Sequence, residues 1–389
     1  MYDWIVIGGG ITGISLSYEL QKVGFSVLLI EQHQTLQGAS SLGYGGIPYW
    51  SATTPPTQQL FAEGISRQRE LSQELGIDTE FRDLDLLLTF TPDVDPDQVV
   101  ANYANCAIAP TLLDAKTAGE YEPLLNTAAI GGAVKFPHGH INLDSFVQAH
   151  SYGLQKLGGE IIYAKVNNLL RSGDRITGVS TDQGDYHSHQ VVVCTGAMTR
   201  ALLRASGIHV RVYFTHAEAI DIPPSDLQLR TMIMPAICKR MEQEELSDRQ
   251  DQDPLWDDAN SHELAPPSVD AGAIQYLDGR IRLGQLSRVL TDPFAAIDAA
   301  QSEAEIRAAV AKILPAIANL SGKWRNCLVS FSSDGLPLVG ALQDYENLHV
   351  FAGFTSPTVF VPALSPRFAA QAKGNQDEIL PLLSPNRFI

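Results

Sequence analysis

The chain opens on an apolar run, YDWIVI, passes through closely spaced glycines, and continues into a stretch where apolar residues return every three or four positions. That order predicts a buried strand over 2–7, a tight turn and a helix over 12–23. Gly24 supplies a C-terminal stop, and 25–30 reads as a second buried strand ending at Glu31. The three pieces make one βαβ unit.

The pattern predicts further elements downstream. Helical spacing covers 59–75 and 143–157, and strand-like pieces cover 79–91 and 160–170. The run QVVVC at 190–194 reads as a buried parallel strand. Beyond Arg211 the texture changes to alternation, first in VYFTHAEAIDI and then in GAIQYLDGRIRLGQLSRV, where Asp278-Gly279 marks a hairpin. Between these, 241–272 is rich in Glu, Asp, Pro and Gln and reads as a solvated, mobile surface loop, with a lid over a site as the alternative. A helix is expected over 302–314, then strand, glycine turn and terminal helix from 327 onward. No internal repeat is visible.

With 389 residues, two domains or one domain with a large insertion are expected. The formal charge of −17 argues against nucleic acid or anionic membrane as partner. No stretch reads as a membrane span, because 5–30 carries Glu19 and Lys22. The first four residues hold no basic residue, so no signal peptide is expected. Cys106, Cys194, Cys238 and Cys327 are scattered without a C-x-x-C pair. That spacing fits reduced thiols in a cytoplasm and gives no metal site.

The chemistry begins at Gly8, Gly10 and Gly13, a G-x-G-x-x-G between strand and helix. The first glycine permits the turn, the second lets a pyrophosphate approach, and the third lets helix and strand pack closely. Ile11 and Thr12 open the helix, whose N-terminal N–H groups favour a phosphate. Glu31, followed by Gln32, stands where a carboxylate binds a ribose diol.

Three later segments separate NAD from FAD: GASSLGYGG at 38–46, VVVCTGA with Thr195-Gly196, and SSDGLPLVG with Asp334-Gly335. This ordered series, from Asp3 to about Phe368, resembles the D-amino acid oxidase family of FAD-dependent oxidoreductases, which includes glycine and sarcosine oxidases. The resemblance implies an α/β fold, a Rossmann-like FAD-binding domain with an inserted strand-rich α+β substrate domain. The expected division is 1–50 with 145–212 and 325–389 for FAD, and 51–144 with 213–324 for substrate. It further implies FAD-dependent oxidation of a C–N bond in a small amine or amino acid. A hydride passes to the flavin, and oxygen or another acceptor takes the electrons. Residues matched to FAD are Ala39, Ser40, Ser41, Gly43, Tyr44, Gly45 and Gly46 in the loop, Val166 beside the adenine, and Phe354, Thr355, Ser356, Pro357, Thr358 and Val359 near the C-terminus.

Departures from the family pattern bear on substrate. Relatives carry an arginine before the second glycine turn, where this chain has Val329, and GFTSPTVFVP at 353–362 supplies no cation either. Arg282 is the replacement candidate, in a register that resembles a flavin-side lysine of sarcosine oxidases. Tyr276, six residues earlier, is expected on the same strand face, and Tyr44 is expected to point into the substrate cavity. Cys327, seven residues before Asp334, resembles the cysteine that tethers flavin in sarcosine oxidases, or else packs as a small hydrophobe. His138 and His140 read as a domain-crossing turn. Two rivals stand beside this reading. One is a hydroxy-acid or polyol-phosphate dehydrogenase, if Lys135, Arg211, Arg282 and Arg288 converge on an anion. The other is a FAD-binding protein with a degraded site.

Overall fold

The computed structural model describes residues 1–388; Ile389, the last residue of the third segment expected to bind FAD, lies outside the described residues. Strand β1 (Tyr2–Ile7) leads into helix α1 (Ile11–Lys22) and β2 (Val27–Glu31). Then come α2 (Ala39–Leu42), β3 (Gly46–Ile47), α3 (Pro55–Leu75), β4 (Arg82–Phe90), α4 (Pro96–Ala101), β5 (Thr111–Asp114) and α5 (Ala115–Tyr121). The middle of the chain gives β6 (Gly132–His140), α6 (Leu143–Lys156), β7 (Glu160–Tyr163), β8 (Val166–Ser172), β9 (Arg175–Thr181), β10 (Gly184–Val193) and α7 (Thr199–Ala205). The remainder is β11 (Val212–Ile222), β12 (Met232–Pro235), α8 (Lys239–Ser247), β13 (Glu263–Gln275), β14 (Ile281–Leu290), α9 (Ala299–Ile313), α10 (Pro315–Ala318), β15 (Lys323–Ser332), β16 (Leu338–Ala341), β17 (Leu348–Ala352) and α11 (Pro357–Ala372).

These strands form two sheets. The first runs β16-β17-β10-β1-β2-β7, parallel from β17 to β7, with the β8–β9 hairpin attached through β10. Where its central strands pair in parallel they are mainly apolar, because helices cover one face and the hairpin side covers the other; Ile5, Val6, Val191, Val192 and Val193 are fully buried. The second sheet runs β15-β11-β14-β13-β12-β4-β6-β3, with β5 on β6, and is antiparallel except where β12 meets β4. Among the described residues no helix is long and apolar enough to cross a membrane.

Four expectations need correction. The strand expected over 160–170 is two, because Ala164 donates its N–H to the Glu31 carbonyl and the chain then turns away from the parallel sheet. Residues 325–332, grouped above with the third FAD segment, pair along β11 in the second sheet. His138 and His140 lie in β6 opposite Leu84 and Arg82, not in a turn.

The fourth concerns 241–272, which is neither structureless nor wholly solvated. It contains most of α8, a short turn of helix at Asp253–Asp257, and β13 from Glu263. Trp256 is buried against Tyr213 and Phe214, with ring centroids 5.1 Å from each. Arg200 on α7 pairs with Asp253 and Asp257 at 2.8 Å each. Acidic residues that read as solvent-facing are therefore partners of one buried guanidinium. Trp256→Ala is expected to cost about 3 kcal/mol in urea unfolding and to open 239–262 to proteolysis; a solvated loop would show neither.

Candidate functional site

The turn after β1 is shaped by close backbone approach. Gly8 has φ +101°, and a Cβ on it would stand 2.7 Å from the Cys194 carbonyl oxygen. A Cβ on Gly13 would collide with the Gly8 carbonyl, so α1 lies tight against its strand. Gly10 caps α1 without a side-chain hydrogen bond, and the first turn holds no acid. The Ile11 N–H donates to Ser40 Oγ at 3.0 Å, which brings α2 to the same place. Glu31 accepts from the Gly9 N–H at 2.6 Å and the His33 N–H at 2.9 Å. Gln32 follows it, and Val166 opens β8 two residues beyond the Ala164 contact with Glu31. Thr12 Oγ1 bonds the Cys194 carbonyl at 3.2 Å, so Thr195-Gly196 sits beside the same turn.

A second helix start borders the same loop. α11 begins at Pro357 after Ser356, again with no side-chain cap and no acid in its first turn. Thr358 Oγ1 donates to the Gly46 carbonyl at 2.6 Å, and Thr355 Oγ1 to the Gly335 carbonyl at 3.1 Å. Phe354 and Val359 are buried behind this end. Asp334 is taken up by Arg387 at 2.7 Å and by the Leu336 N–H at 3.1 Å, which makes it a brace of the turn.

Facing loop 38–46 is the second sheet. Arg282, 3% exposed, donates through Nε to Asp221 at 2.7 Å and through Nη1 to the Gly43 carbonyl at 2.6 Å. The Tyr276 hydroxyl reaches that carbonyl too, at 3.1 Å. Tyr276 is not on the strand of Arg282, as its spacing suggested: the hairpin turn at 277–279 intervenes, and its ring meets Arg282 from across the turn, 5.5 Å away. The Tyr44 hydroxyl is buried without a partner, and burial raises its ionisation well above the ordinary value against the charge of Arg282. Cys327 is buried opposite Ala217, and burial pushes its thiol up to about 11, so it is protonated at neutral pH.

A cleft of about 480 Å³ opens here, lined by residues 35–38, Ser41 and Leu42 on one side and Asp144, Asp221, Arg280, Arg282, Arg325 and Asn326 on the other. Arg280, Arg325, Asp144 and Asp221 escaped the sequence reading. For Asp221 the chain offered only alternation, which places it on the face of Ala217 and Ala219; its position directly opposite Arg282 comes from the strand pairing. The four cations of the dehydrogenase rival do not converge. Lys135 pairs with Asp85, Arg211 bonds Tyr213 and the Asp248 carbonyl, and Arg288 pairs with Glu218.

His138 accepts from Trp50 Nε1 at Nδ1, 3.1 Å, and His140 Nε2 lies 3.1 Å from the Tyr44 carbonyl. Burial pushes both down to about 3, and His150 and His349 to about 4. All four are neutral at working pH, and of them His138 and His140 lie against the loop.

A family model described as FAD dependent oxidoreductase matches residues 3–364. The chain is 25% identical over 390 residues to 4-methylaminobutanoate oxidase (formaldehyde-forming) of Paenarthrobacter nicotinovorans, covering 94% of this chain and 43% of that protein. It therefore spans less than half of that relative's length. The crystal structure of glycine oxidase from Geobacillus kaustophilus superposes with a TM-score of 0.81 at 20% identity, covering 100% and 99% of the two chains. L-Proline dehydrogenase from P. horikoshii gives 0.79 at 19% identity, with 99% and 97% covered.

Histidines that folding keeps from protonating, among them His138, His140, His150 and His349, set an acid limit on stability. The unfolded chain takes up protons below about pH 6.5 that the folded chain refuses, so stability is complete above 6.5 and falls as pH drops toward 4. Each histidine contributes up to about 1.4 kcal/mol per pH unit. The urea midpoint is expected to drop between pH 7.5 and 5, and His138→Gln to flatten that slope; a level midpoint would contradict the burial.

Proposed function

The chain belongs to the family of FAD-dependent oxidoreductases, and from that premise we propose that it oxidises a C–N bond in a small amine or amino acid. The observation that carries the reading is the meeting of two acid-free helix starts, neither with an N-cap side-chain bond, on one glycine-rich loop that carries Tyr44 and faces buried Arg282 and Tyr276 of the second sheet. The three proteins compared are named for 4-methylaminobutanoate, glycine and L-proline, each an amine that bears a carboxylate.

The residues present fit the cofactor. Gly10 leaves bare backbone at the α1 N-terminus, Glu31 stands at the end of β2 for a ribose, and Gly43, Gly45 and Gly46 offer a flat, side-chain-poor loop. Bound FAD supplies the two-electron acceptor that no side chain here can be. Arg282 and Tyr276 hold the Gly43 carbonyl, His140 meets the Tyr44 carbonyl, and Thr358 the Gly46 carbonyl, so the loop is fixed before substrate arrives. Trp50, Phe136, Met232 and Ile274 make an apolar wall that keeps water away. The amine leaves as an imine, which water hydrolyses, and oxygen or another acceptor takes the electrons. The two sheets support a division into FAD-binding and substrate domains with the boundary after β15. The four free cysteines support a reducing compartment such as the cytoplasm.

The test is an anaerobic visible spectrum of the flavoprotein with glycine, N-methyl amino acids, D- and L-amino acids, cyclic imino acids and hydroxy acids added in turn. Bleaching by an amine supports the reading; bleaching by hydroxy acids alone, or by nothing, overturns it. Separately, Gly10→Val would place a branched side chain where a Cβ already stands 2.7 Å from Ser40 Oγ. It is expected to purify with less than about a tenth of the wild-type flavin, read at 450 nm; a fully yellow variant would move the pyrophosphate elsewhere.

A further inference from the structure

We propose that Arg200 on α7 is a positioning residue: it locks residues 238–258 as a strap that ties the turn at Thr195-Gly196 to the second sheet, so that strap and bound cofactor hold each other. The assignment rests on FAD lying at that turn. One end of the strap belongs to the second sheet. Asp270 on β13 accepts the Lys239 and Arg240 N–H groups at 3.0 and 3.3 Å, which fixes the start of α8. Further along the helix, Glu244 Oε1 accepts from Thr215 Oγ1 at 2.8 Å. Thr215 shares a face of β11 with Ala217, Ala219 and Asp221, and Asp221 holds Arg282 against the Gly43 carbonyl. Helix α8 therefore lies on the sheet face that meets loop 38–46.

The other end belongs to the turn. Trp256 packs in one buried cluster with Ala197, Tyr213, Phe214 and Phe331, and Ala197 directly follows Thr195-Gly196. The Thr195 and Thr199 hydroxyls lie 3.2 Å apart, and Arg200 is the next residue. Its guanidinium, on a residue only 8% exposed, spends all of its donors here. Nε and Nη2 grip Asp257 Oδ1 and Oδ2 at 2.9 and 2.8 Å, and Nη1 and Nη2 take Asp253 Oδ1 and the Asp253 carbonyl at 2.8 and 3.2 Å. Nη1 also reaches the Val210 carbonyl at 3.5 Å, just ahead of β11.

Among the described residues no second cation joins both acids. Arg204 and His209 reach only Asp257, at 3.6 and 3.7 Å, and the Tyr213 hydroxyl holds only Asp253, at 2.8 Å. A planar fork is what spans two carboxylates at once. Midway along the strap, Arg211 Nη2 donates to the Asp248 carbonyl at 2.8 Å, so the segment between α8 and Trp256 is also held to the base of β11. A ligand that fixes 195–199 fixes the backbone carrying Arg200, and a shut strap fixes the same backbone from the other side. Linkage makes this coupling equal in both directions: FAD shuts the strap by the factor by which the shut strap tightens FAD.

The test follows tryptic cleavage of the flavoprotein after Lys239, Arg240 and Arg249 at rising free FAD, with FAD affinity read separately from flavin fluorescence on dilution. Wild type is expected to lose strap cleavage as FAD saturates. R200Q is expected to bind FAD roughly tenfold more weakly and to be cut in the strap faster by a similar factor. R200K is expected to fall between, because lysine lacks the fork that joins the two carboxylates. A residue that served stability alone would open cleavage sites throughout the chain and leave strap cleavage indifferent to FAD. Should R200Q fail to fold, D253N keeps Asp257 on the guanidinium and must weaken FAD binding severalfold. Strap cleavage that does not change with FAD, or R200Q or D253N holding FAD as tightly as wild type, overturns the assignment. None of these readouts involves substrate, so strap and FAD can prove coupled where no amine bleaches the flavin, and C–N oxidation can stand where they prove independent.

Discussion

The structure turns on a few backbone carbonyls in a segment that has almost no side chains of its own. Gly43 gives its oxygen to Arg282 and Tyr276, Tyr44 to His140, Gly45 to the Ile141 N–H, and Gly46 to Thr358. The donors come from β14, the hairpin turn, β6, the link between β6 and α6, and α11, so the loop is where the second sheet and a C-terminal helix agree on position. Buried bonds of this kind, one of them from a charged group, are costly to leave unmade. Asp221 matters for the same reason: without its carboxylate, Arg282 would be a buried charge held only by neutral groups.

Glycine content explains why the seam can exist. At Gly45 a Cβ would strike the Ile141 carbonyl, and at Gly46 it would come 2.6 Å from His138 Nε2. Side chains at these positions would push the loop off β6 and the segment that follows it, and the histidines behind it would lose the dry surroundings that keep them neutral. Backbone geometry and histidine protonation are therefore one constraint.

Much of this was legible in the chain. The βαβ unit, the glycine turn with Glu31, the loop at 38–46 and the two alternating strands carry local periodicity, and local periodicity survives folding. What was hidden depends on pairing across long separations. Asp221 acquires meaning only when β11 lies beside β14, and Arg325 only when β15 lies beside β11. The segment 241–272 was misread because its acids match a solvated face; only Arg200, some 50 residues away, turns Asp253 and Asp257 into anchors. Tyr276 was placed on the wrong side of a turn because residue counting cannot see where a hairpin closes.

The order of strands in the first sheet has a consequence for how the protein comes into being. β1 carries the glycine turn, yet it is flanked by β2 from its own neighbourhood and by β10, which begins at residue 184; β10 in turn waits for β17 at 348–352. A chain emerging from the ribosome thus has the nucleotide fingerprint first and the sheet that supports it last. Such non-local closure is slow, and until it occurs the edges of β1 and β2 stay open to wrong partners. Cofactor capture is then a late event that reports completion of all three segments, and by mass action it stabilises the finished fold against the partial ones.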